Sequence, residues 1–262
     1  MFKKAIILSV CLSAWLAVFS LEGLAQEGRA ADEDAALQVW DPIEPVNRGI
    51  FWFNDKADIY VLEPVARGYD YIVPAPMQDC IGNFFNNLRY PAYLVSDLVQ
   101  LKFTQAAEHT GRFLLNTVVG MAGLVDVASH WGLKEHEEDF GTALAYHGVP
   151  PGPYLVLPFL GPSNLRDGFG RLVDGFLHPL YYTGSVGASE RQALAIGVGS
   201  RALDLIDQRA NMFEAIKAAK ESALDYYLFV QSAFYQHRQG LVEDRDTGNL
   251  SQEIDFSDAP LP

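Results

Sequence analysis

Apolar side chains recur at three- and four-residue spacing over most of this chain, the pattern of helices that bury one face. Asp41-Pro42 and Glu44-Pro45 suit a helix start, after which Val46, Ile50, Phe53, Ala57 and Tyr60 mark one face, widened by Phe51 and Trp52. Asn47, Arg48, Asn54, Asp55 and Asp58 lie opposite. So aromatic a face fits either a membrane interface, with rings at headgroup level, or an ordinary core, and the pattern leaves both open. Two helical pieces are predicted between residues 81 and 99, separated at Tyr90-Pro91. Thr104 is placed to cap the next helix, with Ala106, Thr110, Phe113, Leu114, Thr117, Val118 and Met121 on one side and Glu108 and Arg112 on the other. Gly120 and Gly123 break it before a short turn from Leu124 to Ala128. Leu203, Ile206, Ala210, Phe213 and Ile216 form a later stripe that turns Asp204, Asp207, Glu214, Lys217 and Lys220 away. Ser222 is placed to cap a last helix carrying Leu224, Tyr227, Leu228, Phe234 and Tyr235.

One stretch breaks this rhythm. Between Glu138 and Asp167, prolines 150, 151, 153, 158 and 162 fix φ and remove amide donors, while Gly148, Gly152 and Gly161 permit reversals. Tyr154, Leu155, Val156, Leu157, Phe159 and Leu160 are too apolar for a solvated connection, so the segment lies against a core or lipid. Strand alternation is confined to Tyr154–Leu157, which makes the predicted class all-α with one Pro/Gly-rich hairpin. Glycine at 141 and 148 is expected to allow bends there.

Composition adds a boundary condition. The 262 residues are 49% hydrophobic and 12% aromatic yet carry a formal net charge of −14, so apolar and acidic surfaces are segregated. That charge excludes nucleic acid as a partner, since phosphates need a basic patch. Lys3 and Lys4, an apolar run to Phe19 and small residues ending at Ala25 read as a secretory signal over residues 1–25, cleaved after Ala25, with an uncleaved membrane helix as the alternative. Cys11 sits badly for lipid attachment, because bulky Val10 precedes it and the apolar run continues beyond. With the signal removed, Cys80 is the lone thiol and no intrachain disulfide can form. The remaining organisation is a flexible leader over residues 26–40, one helical domain over 41–239 and an acidic disordered tail over 240–262. No further stretch is long and apolar enough to span a bilayer, so membrane contact would be monotopic.

The candidate chemistry is thin. His130, Glu135, His136, Glu137, Glu138 and Asp139 cluster without metal-site spacing, so no metal or cofactor is expected. Ser163 and Ser185 lack the nucleophile-elbow context, and Gly197-Val198-Gly199 lacks a surrounding βαβ unit. Arg112, Asp126, Arg166-Asp167 and the pair Arg171 and Asp174 lie among apolar residues, where charges are paired when buried; they read as scaffold rather than catalyst.

Taken in order, the segments resemble the MlaA (VacJ) proteins of bacterial phospholipid transport. The resemblance runs from Asp41-Pro42-Ile43-Glu44-Pro45-Val46-Asn47-Arg48 and Asn54 through Asn83-Phe84-Phe85-Asn86-Asn87-Leu88 and Arg112-Phe113-Leu114-Leu115-Asn116-Thr117 to Leu124-Val125-Asp126. It continues with Glu138-Asp139-Phe140-Gly141, Gly152-Pro153-Tyr154, Leu157-Pro158 and Leu165-Arg166-Asp167, and closes at Tyr235-Gln236-His237-Arg238. The resemblance implies a ring-shaped all-α protein in the inner leaflet of the outer membrane, with a central amphipathic channel. It would take mislocalised phospholipid to a soluble MlaC-like periplasmic carrier, in association with a trimeric porin and without enzymatic chemistry. A hairpin over about Tyr146–Pro158 would border the channel, making Phe140, Gly141, Tyr146, Gly148, Gly152, Tyr154, Leu157 and Pro158 the expected lipid path. Asn47, Arg48, Asn83, Arg112, Asn116, Asp126, Arg166 and Asp167 would be its structural motif. This chain departs from the pattern at Cys11 and at Gln78-Asp79-Cys80, where family members commonly carry a basic residue. A membrane-associated lipid hydrolase using Ser163 or Ser185, and a structural porin-associated protein, are the alternatives.

Overall fold

The computed structural model describes residues 39–186 and 189–244, and side chains at 183–186 are not among the described ones. The signal segment, Cys11, most of the leader, the Ser185 side chain and the tail from residue 245 lie outside them. Helix α1 (Glu44–Ala57) passes through a π-helical turn (Asp58–Leu62) into α2 (Glu63–Ile72). Pro45 occupies a first-turn position, where a missing amide proton leaves nothing unpaired, and Pro64 follows closely on the π-helical turn. Helix α3 (Ala75–Val99) runs on through Pro91 instead of dividing there. A single lost backbone bond is outweighed by packing along a long helix, and α3 lies against both α4 (Phe103–Val118) and α8 (Glu190–Asn211).

Helix α4 starts ahead of Thr104, with Lys102 at the N-cap position and no side-chain cap. Short α5 (Val127–His130) is capped by Asp126, and α6 (Phe140–Tyr146) opens on a capping box in which Asp139 and Thr142 satisfy each other's amides. Strands β1 (Tyr154–Leu157) and β2 (Gly161–Asn164) then form an antiparallel hairpin with Tyr154 opposite Asn164 and Leu157 opposite Gly161. Helix α7 (Leu165–Leu177) and a 3₁₀ segment (Pro179–Val186) lead to α8, α9 (Phe213–Ser222) and α10 (Tyr226–Val242). The predicted stripe from Leu203 to Ile216 is split at Met212 between α8 and α9. Ser222 closes α9, its hydroxyl donating to the Ala218 carbonyl, and Asp225 caps α10 by accepting from the Tyr227 and Leu228 amides. Helix α10 continues past Gly240, and both Gly240 and Leu241 are buried.

Among the described residues, buried positions are more often polar or charged than apolar. Tyr154, Val156 and Tyr227 form an apolar cluster, with Ile50, Phe51 and Phe234 packed on it. Elsewhere the sequence-predicted faces are turned over. On α4 the inward side is Ala106, His109, Arg112 and Asn116, while Leu114 and Val118 are exposed. On α8 Asp207 and Arg209 are buried and Leu203 and Leu205 face out. On α1, Asn47 is buried while Val46, Trp52 and Phe53 are exposed. The predicted helices are present, but their polar sides form much of the interior.

Helices α6 and α7 meet where Gly170 faces Gly141. A Cβ added at Gly170 would lie 2.5 Å from the Gly141 nitrogen, and one at Gly141 would lie 2.8 Å from side-chain atoms of Arg238 and Asp167. Gly141 is helical and makes no bend; it is small because two helices and an ion pair converge on it. Gly148 and Gly152, at φ +79° and +69°, do reverse the chain as expected. Gly170→Val is expected to destabilise the protein by about 1–3 kcal/mol through overpacking. Gly175→Ala, on the same helix but with nothing within 4 Å of the added carbon, is not. Urea unfolding of the two variants checks this, and equal stability would refute the crossing.

Candidate functional site

Helix α7 divides two environments. Leu165, Phe169, Leu172 and Phe176, spaced four, three and four residues apart, form an exposed apolar stripe. Asp167 and Gly170 are buried on the other side. The hairpin turn extends the apolar surface with exposed Phe159 and Leu160, and the Phe159 ring meets Phe53 edge-on at 5.2 Å. Arg171 spans this edge, donating to the Leu160 and Pro162 carbonyls at 3.1 and 3.0 Å rather than pairing with Asp174.

Behind the stripe, Arg238 of α10 donates to both oxygens of Asp139 and, at 3.0 Å, to Asp167 Oδ1. Asp167 also accepts from Arg166 Nε at 2.9 Å and from Asn164 Nδ2 at 2.8 Å. Arg166 reaches back to the Val149 carbonyl at 3.1 Å, fixing the proline-rich segment to α7. Burial alone would raise the Asp139 carboxyl, yet the Arg238 hydrogen bonds hold it below the usual carboxylate range. Asp174, close by, has the Phe140 amide, at 3.2 Å, as its one hydrogen-bond donor among the described residues. Burial first, and then the charge on Asp139, push its carboxyl up to about 7. Glu138, next to this cluster, is buried against Gln100, Thr142 and Lys102.

A second polar group lies between α3 and α4. Arg112 donates to Asp126 at 2.9 Å, to Glu135 at 3.3 Å and to the Leu133 carbonyl at 2.7 Å, and Asn116 donates to Asp126 at 2.9 Å. Arg112, Asn116, Asp126 and Glu135, with Asn83, Tyr90 and Tyr93, line a cavity of about 30 Å³. Polar walls and that volume suit ordered water. His109 Nδ1 lies 2.6 Å from Asp97 and its Nε2 lies 2.9 Å from the His136 carbonyl. No group able to hold a metal ion occurs among the described residues.

The expected residues thus fall into three places. Asn47, Tyr154 and Leu157 join α1 to the hairpin: the Asn47 side chain donates to the Tyr154 carbonyl at 2.9 Å and accepts from the Val156 amide at 3.0 Å. Arg48 binds Asp225 at 2.8 Å and lies over the Tyr227 ring. Phe140, Gly141, Arg166 and Asp167 gather at the Arg238 cluster, and Asn83, Arg112, Asn116 and Asp126 at the cavity. Tyr146 instead ends α6 under Lys102, so the hairpin starts later than the segment expected from Tyr146 to Pro158. Pro158 sits exposed in the turn, and Gly152 packs by its backbone on Leu165. Arg238 is the hub, which the sequence reading named only as the last residue of the resemblance and not as a site residue; its signal was that Tyr235-Gln236-His237-Arg238 segment on an aromatic helix. Ser163 is fully buried and donates to the Asn164 carbonyl, with no histidine among its hydrogen-bond partners.

Charged residues inside and apolar helix faces outside define a class: an all-α protein that presents contiguous apolar helix faces at its surface, with no described helix long and apolar enough to cross a membrane. The family model described as MlaA lipoprotein matches residues 39–241, and the chain belongs to that family. It is 34% identical over 218 residues to the intermembrane phospholipid transport system lipoprotein MlaA of Escherichia coli, covering 82% of this chain and 79% of that protein. The protein of the same name from Haemophilus influenzae is 31% identical, with 89% and 90% covered. An uncharacterized protein of Rickettsia typhi is 32% identical, with 91% and 94% covered. A solved structure described as "Structural basis for maintenance of bacterial outer membrane lipid asymmetry" aligns at TM-score 0.67 and 32% identity, covering 77% of this chain and 98% of that one.

Asp174 supplies a pH test. A carboxyl that binds its proton more tightly when folded loses stability as pH rises from about 4, its unfolded value, to its folded value. Asp174→Asn, which keeps an acceptor for the Phe140 amide, is therefore expected to be more stable than the parent at pH 8. It should also lack the parent's decline in stability as pH rises up to about 7. Urea unfolding at a series of pH values reads this directly; identical slopes in parent and variant would reject it.

Proposed function

We propose that this protein removes mislocalised phospholipid from the outer leaflet of the bacterial outer membrane and hands it to a soluble periplasmic carrier of the MlaC type, maintaining lipid asymmetry. The observation that carries this reading is the inverted polarity of helices α1, α4, α7 and α8 in a chain of the MlaA family. The protein lies in the inner leaflet beside a trimeric porin, with its helices arranged as a ring around an amphipathic passage. Moving a lipid through water would expose acyl methylenes at about 0.8 kcal/mol each, on the order of 20 kcal/mol for two chains. An apolar wall removes that barrier, while inward-facing polar groups keep headgroups hydrated. The step needs no covalent chemistry.

In a strain deleted for this protein, outer-leaflet phospholipid is expected to rise and to fall again when the full chain is restored. Unchanged outer-leaflet lipid on deletion would sink the reading. A lipid hydrolase would instead turn over lipid in purified form through one serine, and the burial of Ser163 gives that no support. Membrane contact through α7 has its own test. Phe169→Asp combined with Leu172→Asp is expected to lower partition of the purified protein into phospholipid vesicles by about a hundredfold, since each side chain loses lipid burial of about 1.5–3 kcal/mol at most. Both residues are exposed, so the fold should survive, and flotation with circular dichroism separates the two effects.

A further inference from the structure

The edge of β1 that faces away from β2 has no partner strand among the described residues, yet three of its polar groups are bonded. The Tyr154 amide donates to the Trp40 carbonyl at 2.9 Å. Asn47 then binds the Tyr154 carbonyl and the Val156 amide, and Asn54 repeats the arrangement further along, donating to the Leu157 carbonyl at 2.9 Å and accepting from the Phe159 amide at 2.8 Å. Each side-chain amide offers one donor and one acceptor, as a residue of a neighbouring strand does. The spacing matches as well. Seven helical residues from Asn47 to Asn54 rise about 10.5 Å, and the two bonded sites on the hairpin are three residues, about 10 Å, apart.

The two clamps differ in surroundings. Asn47 is fully buried at the hairpin root, whereas Asn54 is half-buried beside the exposed turn. That turn holds Phe159 at φ +62°, a conformation that a bulky side chain rarely adopts. The amide that Asn54 accepts from belongs to this strained residue, and the Phe159 ring is the one that meets Phe53 of α1. We infer that Asn47 clamps α1 to the free edge of β1 while Asn54 clamps it to the turn, and that Asn54 is a positioning residue for lipid transfer, holding the apolar turn Pro158–Leu160 in its strained, lipid-facing form. The transfer part rests on the proposed function; the clamp stands on geometry alone.

Two measurements on Asn54→Ala, Asn54→Asp and the parent test it: hydrogen exchange of the Phe159 amide in the purified full chain, and outer-leaflet phospholipid in the deletion strain carrying each variant. Asn54→Ala should speed Phe159 exchange about fivefold or more, the worth of one hydrogen bond. It should leave the Val156 amide, held by Asn47, protected as in the parent, and should raise outer-leaflet lipid toward the deletion level. Asn54→Asp keeps the acceptor, so Phe159 should stay within about twofold of the parent rate, and transfer should recover at least in part. Unchanged Phe159 exchange in Asn54→Ala overturns the clamp. Faster exchange with parental lipid distribution overturns the positioning role. A parent chain that fails to lower outer-leaflet lipid counts against the transport reading instead, and the exchange data still decide the clamp.

Discussion

Arg238 joins three helices across a buried seam, and the rest of the structure is arranged so that this guanidinium keeps its two carboxylates. Asp139 comes from the cap of α6, Asp167 from the first turn of α7, and Arg238 from α10. Removing one partner from such a cluster leaves a charge buried without compensation, which is far more damaging than losing a surface pair. The glycines at the α6–α7 crossing follow from the same constraint, because side chains there would push the helices off the ions. So does the proline-rich connection, which Arg166 binds back through the Val149 carbonyl.

Ion pairs at the centre and apolar side chains at the rim make sense together. In water, exposing Phe169, Leu172, Phe176, Val118 and Trp131 at the surface would be a liability. Against lipid, the medium of the proposed function, the same surface would be the solvated one. The polar faces find each other in the interior: Arg112 with Asp126 and Glu135, Arg209 with Asp58, Arg89 with Asp204. The hairpin is the exception, an apolar cluster around Tyr154 closed by aromatic rings from α1 and α10.

Helices α1, α3, α4, α8, α9 and α10 and the hairpin strand were readable from spacing, while α2, α6, α7 and several ends were not. Thr104 and Ser222 look like caps, but Lys102 and Asp225 hold those positions, because a cap is chosen by where tertiary packing lets the chain turn. Pro91 reads as a break and is absorbed by α3, because packing on both sides outweighs one missing bond. In the site, Arg166 and Asp167 were legible as a pair. The partnership of Arg171 and Asp174 was not realised, since Arg171 reaches hairpin carbonyls and Asp174 binds an amide. Asn47 and Asn54 read as the water-facing side of an amphipathic helix, and nothing local marks them as partners of a strand more than a hundred residues away.

By itself the sequence determined the all-α class, the one bent hairpin and the division of each predicted helix into two faces, because side-chain periodicity depends only on helix and strand geometry. Only the tertiary structure decided which face points inward. Periodicity carries no information about the medium outside, and the inward choice rests on ion pairs such as Arg238 with Asp139 and Asp167, whose members lie 99 and 71 residues apart.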